Sequence, residues 1–100
     1  MMVENLILFG KPLNNNNIEK LKHLSQSFSD YKIVFLEDAV NSVIISDELH
    51  ENGISRFSYL YEDLKARGFE ISTFQETIEK TTYLELIDLL EESNRIVSML

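Results

Sequence analysis

Cysteine is absent from the 100 residues of the chain, and this absence excludes several classes of chemistry. Disulfide bonds, Cys-ligated zinc, iron–sulfur clusters and thiol nucleophiles all require cysteine, as does a persulfide carried by the chain itself. Glycine is also scarce, with three residues, and neither a G-x-G-x-x-G motif nor a P-loop occurs. Dinucleotide or ATP binding through a glycine-rich phosphate loop is therefore not expected.

Long apolar runs and basic residues are in short supply as well. The longest apolar runs, residues 6–9 and 33–36, have four residues each, whereas a membrane-spanning helix needs about 20. The N-terminus lacks the basic start and apolar stretch of a signal peptide, so we expect a cytoplasmic protein. Nine Lys and Arg against seventeen Asp and Glu give a net charge of -8, which disfavours direct binding to nucleic acid or to anionic membranes.

What the chain does contain is typical of one folded domain. Hydrophobic residues make up 44% and charged residues 26% of the sequence, a composition that separates it from disordered chains. A length of 100 residues suits a single domain that buries a core without cross-links. We therefore expect one domain covering residues 1–100.

Apolar runs and helical periodicity alternate along this domain. The runs predict strands over residues 3–9, 32–36, 57–61, 69–72 and 95–99. Helical spacing predicts helices over residues 18–27 with Asn17 as cap, 40–44 with Asp38 as cap, 62–67 before Gly68, and 82–92. The polar residues 46–55 are expected to form a turn or a helix end. The alternation predicts βαβ units, an α/β fold and a mainly parallel sheet with helices on both faces.

The candidates for chemistry follow the second predicted strand. Glu37 and Asp38 come at its carboxyl end, where open α/β sheets bind ligands. Two carboxylates there are suited to holding a metal ion or to acid–base chemistry. The competing interpretation, which capping preferences favour, is that Asp38 caps the next helix and Glu37 is solvated. His23 and His50 lack partners at metal-ligand spacing, and both are expected on the surface.

The last predicted helix is apolar around most of its circumference. Six of the eight residues 83–90 are apolar, whereas a surface helix needs only one apolar stripe of about 100°. Either this helix is covered on two sides within the fold, or part of it contacts another subunit, because so much exposed leucine would favour aggregation. The interface hypothesis selects Tyr83, Leu86, Ile87 and Leu90.

Three blocks of the sequence carry a resemblance to a known family. They are VFLEDAV at residues 34–40, YLYEDLKARGF at residues 59–69, and YLELIDLL at residues 83–90 followed by IVS at residues 96–98. On these blocks the chain resembles the DsrH/TusB family of sulfur-relay subunits, and its Lys11-Pro12 turn stands where the family has a Ser-Pro turn. The middle block, with its E-D-L-K-A-R-G run, is the most specific of the three.

The resemblance implies a fold and a set of partners. The fold is a three-layer α/β/α sandwich with a mainly parallel, five-stranded sheet of the DsrEFH-like type. The partners are DsrE-like and DsrF-like (TusD/TusC-like) sister subunits, often in a hexamer, together with a TusA-like sulfur carrier. Such complexes pass persulfide sulfur towards tRNA wobble-uridine thiolation or serve sulfur oxidation, and the sulfur-bearing cysteine of the TusD/DsrE type belongs to a sister subunit.

The chain departs from the family at three positions. Some family members carry a cysteine in the first helix, where this chain has Leu21, which we expect in the core. Ala39 stands in place of the usual glycine, and Met99 stands in place of a frequent tryptophan. The resemblance and the missing cysteine together predict a non-catalytic subunit that acts by docking, without cofactor or metal. The alternative is a free-standing homo-oligomer that binds a small ligand or metal at the sheet edge near Glu37 and Asp38.

Overall fold

Strands and helices alternate along residues 4–68 and 78–100, the two ranges that the computed structural model describes. In chain order the elements are β1 (Asn5–Phe9), α1 (Asn15–Gln26), β2 (Lys32–Phe35), a 3₁₀ helix (Glu37–Val43), α2 (Ser46–Glu51), β3 (Phe57–Leu60), α3 (Tyr61–Ala66), β4 (Lys80–Thr81), α4 (Tyr83–Glu92) and β5 (Arg95–Met99). None of the helices in these ranges combines the length and the hydropathy that crossing a membrane requires.

The five strands of the described ranges form one parallel sheet with the order β4-β3-β2-β1-β5. β1 and β2 lie inside the sheet because their apolar runs tolerate cover on both faces. The register pairs Ile7 with Ile33 and Ile33 with Phe57, so large apolar side chains line up across neighbouring strands. This arrangement confirms the predicted α/β fold with its mainly parallel, five-stranded sheet.

One face of the sheet, which we call the α1 face, packs against α1 and α2. The strand residues buried on this face are Ile7, Phe9, Ile33, Phe35 and Phe57. The cluster also contains Ile18 and Leu21 of α1, Leu49 of α2, and the residues Leu13, Ala39 and Ile54. The rings of Phe9 and Phe35 meet edge to face with centroids 6.2 Å apart, a favoured aromatic geometry. Leu21 has no accessible surface and lies in the core as expected.

The opposite face, which we call the α4 face, is covered by α4. The buried residues on this side of the sheet are Leu6, Val34, Leu36 and Leu60. Leu86, Leu89 and Leu90 of α4 pack against them and are each half-buried. α4 connects β4 at one edge of the sheet to β5 at the other, so it has to cross the strands between them. Within the described chain, this one ten-residue helix supplies the helical part of the cluster.

Helix α1 begins earlier than the sequence pattern predicted. Its N-cap is Asn14, whose side chain accepts the backbone N–H of Asn17 at 2.9 Å. Asn17 lies in the first turn and donates from its side chain to the carbonyl of Pro12 at 2.7 Å. The prediction of Asn17 as the cap is therefore wrong, because neighbouring asparagines share the same capping preference and the pattern did not distinguish them.

Two observed elements, α2 and β4, were not predicted from the sequence. Residues 46–55 include α2, in which Leu49 is the one apolar residue of six, too few for a periodic signal. This helix ends just before Gly53, whose φ of 78° is the left-handed conformation common at helix ends. β4 has only two residues, which is too short for an alternating pattern. The strand predicted at residues 69–72 lies outside the described residues.

Candidate functional site

The carboxyl edge of the sheet holds Glu37 and Asp38, the pair selected from the sequence. Both lie in the first turn of the 3₁₀ helix, whose N-cap is Leu36 and which has no side-chain cap hydrogen bond. The prediction that Asp38 caps this helix is therefore wrong. Its Oδ1 instead lies 3.3 Å from the guanidinium of Arg67, which forms a partly exposed ion pair between the 3₁₀ helix and the end of α3.

A second carboxylate, that of Asp63 on α3, connects this edge to α4. Glu37 has a φ of 52°, in the left-handed region that residues with side chains rarely adopt. Its backbone N–H donates to Oδ2 of Asp63 at 2.6 Å. The other oxygen, Oδ1, accepts the phenol O–H of Tyr83 at 3.1 Å. One side chain thus joins the bend after β2 to the first residue of α4.

The start of α4 is held by two further sets of hydrogen bonds. Both carboxylate oxygens of Glu62 accept the backbone N–H of Tyr83 at 3.2 Å. Thr82 and Glu85 form a capping box, in which each side chain accepts the backbone N–H of the other residue, at 3.3 and 3.2 Å. The hydrogen bond to Asp63, and then its negative charge, raise the pKa of the Tyr83 phenol because both favour the protonated form.

These contacts bear on the hypothesis of a ligand or metal site at the edge. The described residues bring no three potential metal ligands of the His, Asp or Glu type together. Asp38 is paired with Arg67, and Asp63 accepts two hydrogen bonds from within the chain. In this part of the molecule the polar side chains stabilise the junction of β2, α3 and α4.

The two histidines are both exposed and have other neighbours. Nε2 of His23 lies 3.6 Å from the carboxylate of Glu19, one helical turn earlier on α1. The ring of His50 lies against that of Phe57, with centroids 5.2 Å apart. It also borders a cavity of about 400 Å³ that includes Arg56 on its wall.

Helix α4 presents different residues to the sheet and to the outside. The residues half-buried against the sheet are Leu86, Leu89 and Leu90. The exposed apolar residues are Tyr83, Leu84 and Ile87, with 49%, 77% and 50% of their surface accessible. The four interface candidates are therefore divided between the two sides, with Leu86 and Leu90 towards the sheet and Tyr83 and Ile87 exposed.

Leu84 is an exposed apolar residue that the sequence interpretation did not select. On a helix with about 100° per residue, Leu84 lies opposite the leucines that contact the sheet, and Asp88 and Glu91 lie within about 40° of it. We define the outer face of α4 by Tyr83, Leu84, Ile87, Asp88 and Glu91. A helical wheel identifies Leu84 as an exposed residue only after the leucines on the other side of α4 have been assigned to the core.

The edge strand β5 adds apolar surface next to α4. Ile96 pairs with Leu6, so its side chain lies on the α4 face, where 45% of its surface is accessible. Val97 and Met99 have the opposite orientation and pack against the core of the α1 face. In the described residues β5 pairs with β1 alone, so its other edge carries unpaired backbone groups.

Comparisons with known proteins give a family and a structural relative. The model of the family described as "DsrH like protein" matches residues 12–96. The crystal structure of the YchN protein from E. coli is similar, with a TM-score of 0.69 at 14% sequence identity, and the match covers 98% of this chain and 100% of that one. At this identity the similarity to YchN shows the fold alone. No curated protein sequence matches the chain.

Proposed function

This chain belongs to the DsrH-like family, and we propose that it is a non-catalytic docking subunit of a cytoplasmic sulfur-relay complex. The family supports a general role as a sulfur-relay subunit. The observation that carries the docking proposal is the outer face of α4, which exposes Tyr83, Leu84 and Ile87 within two helical turns. Clusters of large apolar side chains on a protein surface commonly mark contacts with other proteins.

The missing cysteine assigns the sulfur chemistry to the partners. A persulfide forms on a thiolate, and no side chain of this sequence supplies one. Cysteine-bearing DsrE-like and DsrF-like (TusD/TusC-like) subunits carry the sulfur, and a TusA-like carrier exchanges it with them. This chain contributes by holding those subunits in place, on a route to tRNA wobble-uridine thiolation or to sulfur oxidation.

The local structure of α4 supports its use as a binding element. Glu62, Asp63 and the capping box of Thr82 and Glu85 hold its first turn in one position. A helix that is already ordered loses less conformational entropy when a partner binds it. Among the interface candidates, the exposed residues make the contact, and the leucines facing the sheet hold α4 in the orientation that presents them.

Co-purification with the DsrE-like and DsrF-like subunits of the same genome tests this function. The double variant Leu84→Ser/Ile87→Ser removes apolar contact without adding charge, and we expect it to lose the partners while its circular-dichroism melt stays close to that of the parent. The matched control is Ile44→Ser at the end of the 3₁₀ helix, where 58% of the isoleucine surface is accessible. Retention of the partners by the folded double variant would exclude α4 as the docking element.

A further inference from the structure

Helix α4 carries four carboxylates and no basic residue in its ten positions. The acidic residues Glu85, Asp88, Glu91 and Glu92 are all exposed. Glu85 has a structural task in the capping box. The side chains of Asp88 and Glu91, in contrast, make no hydrogen bond or ion pair within residues 4–68 and 78–100. Contacts among the described residues therefore give no reason for the two acidic side chains of the outer face.

The same two residues act against folding of the separate chain. Like charges three or four residues apart on a helix repel each other, and Asp88 stands in this relation to Glu85, Glu91 and Glu92. Glu91 also lies in the last turn, at the negative end of the helix dipole, where α4 has no basic residue. Helix α3 shows the favourable arrangement, with its acidic residues in the first turn and Lys65 in the last.

We propose that the outer face of α4 binds a protein surface in which an apolar patch is bordered by Lys or Arg side chains, and that its charge excludes a second copy of this chain. The inference rests on the docking function proposed above and adds the chemistry of the partner. Basic side chains across the contact relieve the repulsion within α4 and attract the partner over a distance. Two copies that meet through this face would bring Asp88 and Glu91 of one helix close to Asp88 and Glu91 of the other, which selects against self-association.

A groove beside α4 suits a basic side chain of such a partner. It has a volume of about 290 Å³ and lies between α4 and the strands, with Thr81, Asp88 and Leu89 on its wall. Lys32 also lines this groove, but its ammonium group is already paired with Glu79 at 2.7 Å. Glu85, Asp88 and Glu92 of α4 all line the groove, so a Lys or Arg that enters it meets several carboxylates, among them that of Asp88 on the outer face.

The test combines two measurements on the double variant Asp88→Asn/Glu91→Gln. The first is the thermal melt of the purified chain, and we expect a higher melting temperature because repulsion within α4 is reduced. The second is the affinity for the purified DsrE-like and DsrF-like subunits across a salt series. We expect binding about three- to tenfold weaker at low salt, with a shallower dependence on salt, for the loss of two exposed charge pairs.

The matched control is Asp47→Asn/Glu48→Gln, which changes the net charge equally on α2, on the opposite side of the sheet. Both residues lie in the first turn of α2, where negative charge is favourable, so this variant should melt at a lower temperature and bind as the parent does. We expect a higher melting temperature together with a weaker affinity for the subunits only in a variant whose removed charges contact the partner.

Three results would count against these proposals, and they are distinguishable. The parent and the Asp88→Asn/Glu91→Gln variant could bind the subunits equally at every salt concentration. This result would refute the proposal of basic side chains on the partner and would leave the docking function unaffected. The pure parent chain could sediment as a dimer, and the Leu84→Ser/Ile87→Ser variant as a monomer. This result would refute the proposal that the charge of the outer face prevents self-association. A parent chain that binds neither subunit at any salt concentration would remove the docking function itself, and the inference with it.

Discussion

The α1 face and the α4 face of the same sheet are closed in different ways. On the α1 face two helices cover the strands, and Ile7, Phe9 and Leu21 have no accessible surface. On the α4 face one described helix packs half-buried leucines onto the strands and keeps Leu84 and Ile87 exposed on its other side. The strands are buried on both faces, since Leu6 has as little accessible surface as Ile7. The difference lies in the helices, because Leu21 of α1 is fully buried whereas α4 keeps Leu84 exposed, which leaves apolar surface that suits a partner.

The difference originates in the apolar patterns of the two main helices. In α1 the apolar residues Ile18, Leu21 and Leu24 share one stripe, so one contact with the sheet covers them. In α4 the apolar residues occur on opposite sides of the helix, and a single contact with the sheet covers only one side. A helix with two apolar sides needs two neighbours, and in our proposal one of these neighbours lies outside this subunit.

The largest expected effect is on the α1 face. Leu21→Ala should lower the free energy of unfolding by about 2–5 kcal/mol, because it opens a cavity in a fully buried cluster. Urea denaturation followed by circular dichroism measures it. The control Leu84→Ala, on the exposed side of α4, should change the same quantity by no more than about 0.5 kcal/mol. Equal losses at the two positions would remove the distinction between a core helix and an exposed one.

A smaller loss is expected where α4 meets the sheet. Leu86→Ala should cost about 1–2 kcal/mol, less than Leu21→Ala, because the leucine is half-buried and the site is open to solvent on one side. The same denaturation experiment gives this value. A cost as high as that of Leu21→Ala would mean that the α4 face is closed as tightly as the α1 face.

The next effect concerns the start of α4. Thr82→Ala removes the side-chain acceptor of the capping box and should cost about 1 kcal/mol, with faster hydrogen exchange in the first turn of α4. Ser27→Ala serves as the control, since its hydroxyl donates to the His23 carbonyl at the end of α1 and should leave exchange in α4 unchanged. Unaltered exchange in Thr82→Ala would show that Glu62 and Asp63 suffice to hold this turn.

The smallest effect is a dependence on alkaline pH. The pKa of Tyr83 is raised in the folded state, so the protonated phenol contributes to the stability of the folded state. This contribution is complete below the ordinary pKa of 10.0 and is lost as the pH rises through the raised pKa. Asp63→Asn removes the negative charge, so the pKa of Tyr83 should fall and the folded state should lose less stability at alkaline pH. Titration of tyrosinate absorbance measures this.

Tyr83→Phe identifies the Tyr83 component of that titration. This control is needed because the pKa of Tyr59 is also raised, first by burial and then by the neighbouring Tyr61. A Tyr83 component that titrates identically in the parent and in Asp63→Asn would contradict the hydrogen bond between Asp63 and Tyr83.

The elements that could be predicted are those with strong local signals. β5 occupies Arg95–Met99 as predicted, and α4 begins within one residue of its expected start. Helix α2 was missed because Leu49 is its one apolar residue, so periodicity had nothing to detect. The contacts of Asp63 were beyond prediction because they join it to residues 26 and 20 positions away in the chain.

Three properties follow from the amino-acid sequence alone: the chain carries no thiol, its strands alternate with helices, and it belongs to the DsrH-like family. Composition, periodicity and motifs are properties of the linear chain, so no tertiary contact is needed to read them. Which side of α4 is buried depends on tertiary contacts, because periodicity does not distinguish between two apolar sides of one helix. The crossing from β4 to β5 places one side over Leu6 and Val34, and it leaves Leu84 and Ile87 outside beside Asp88.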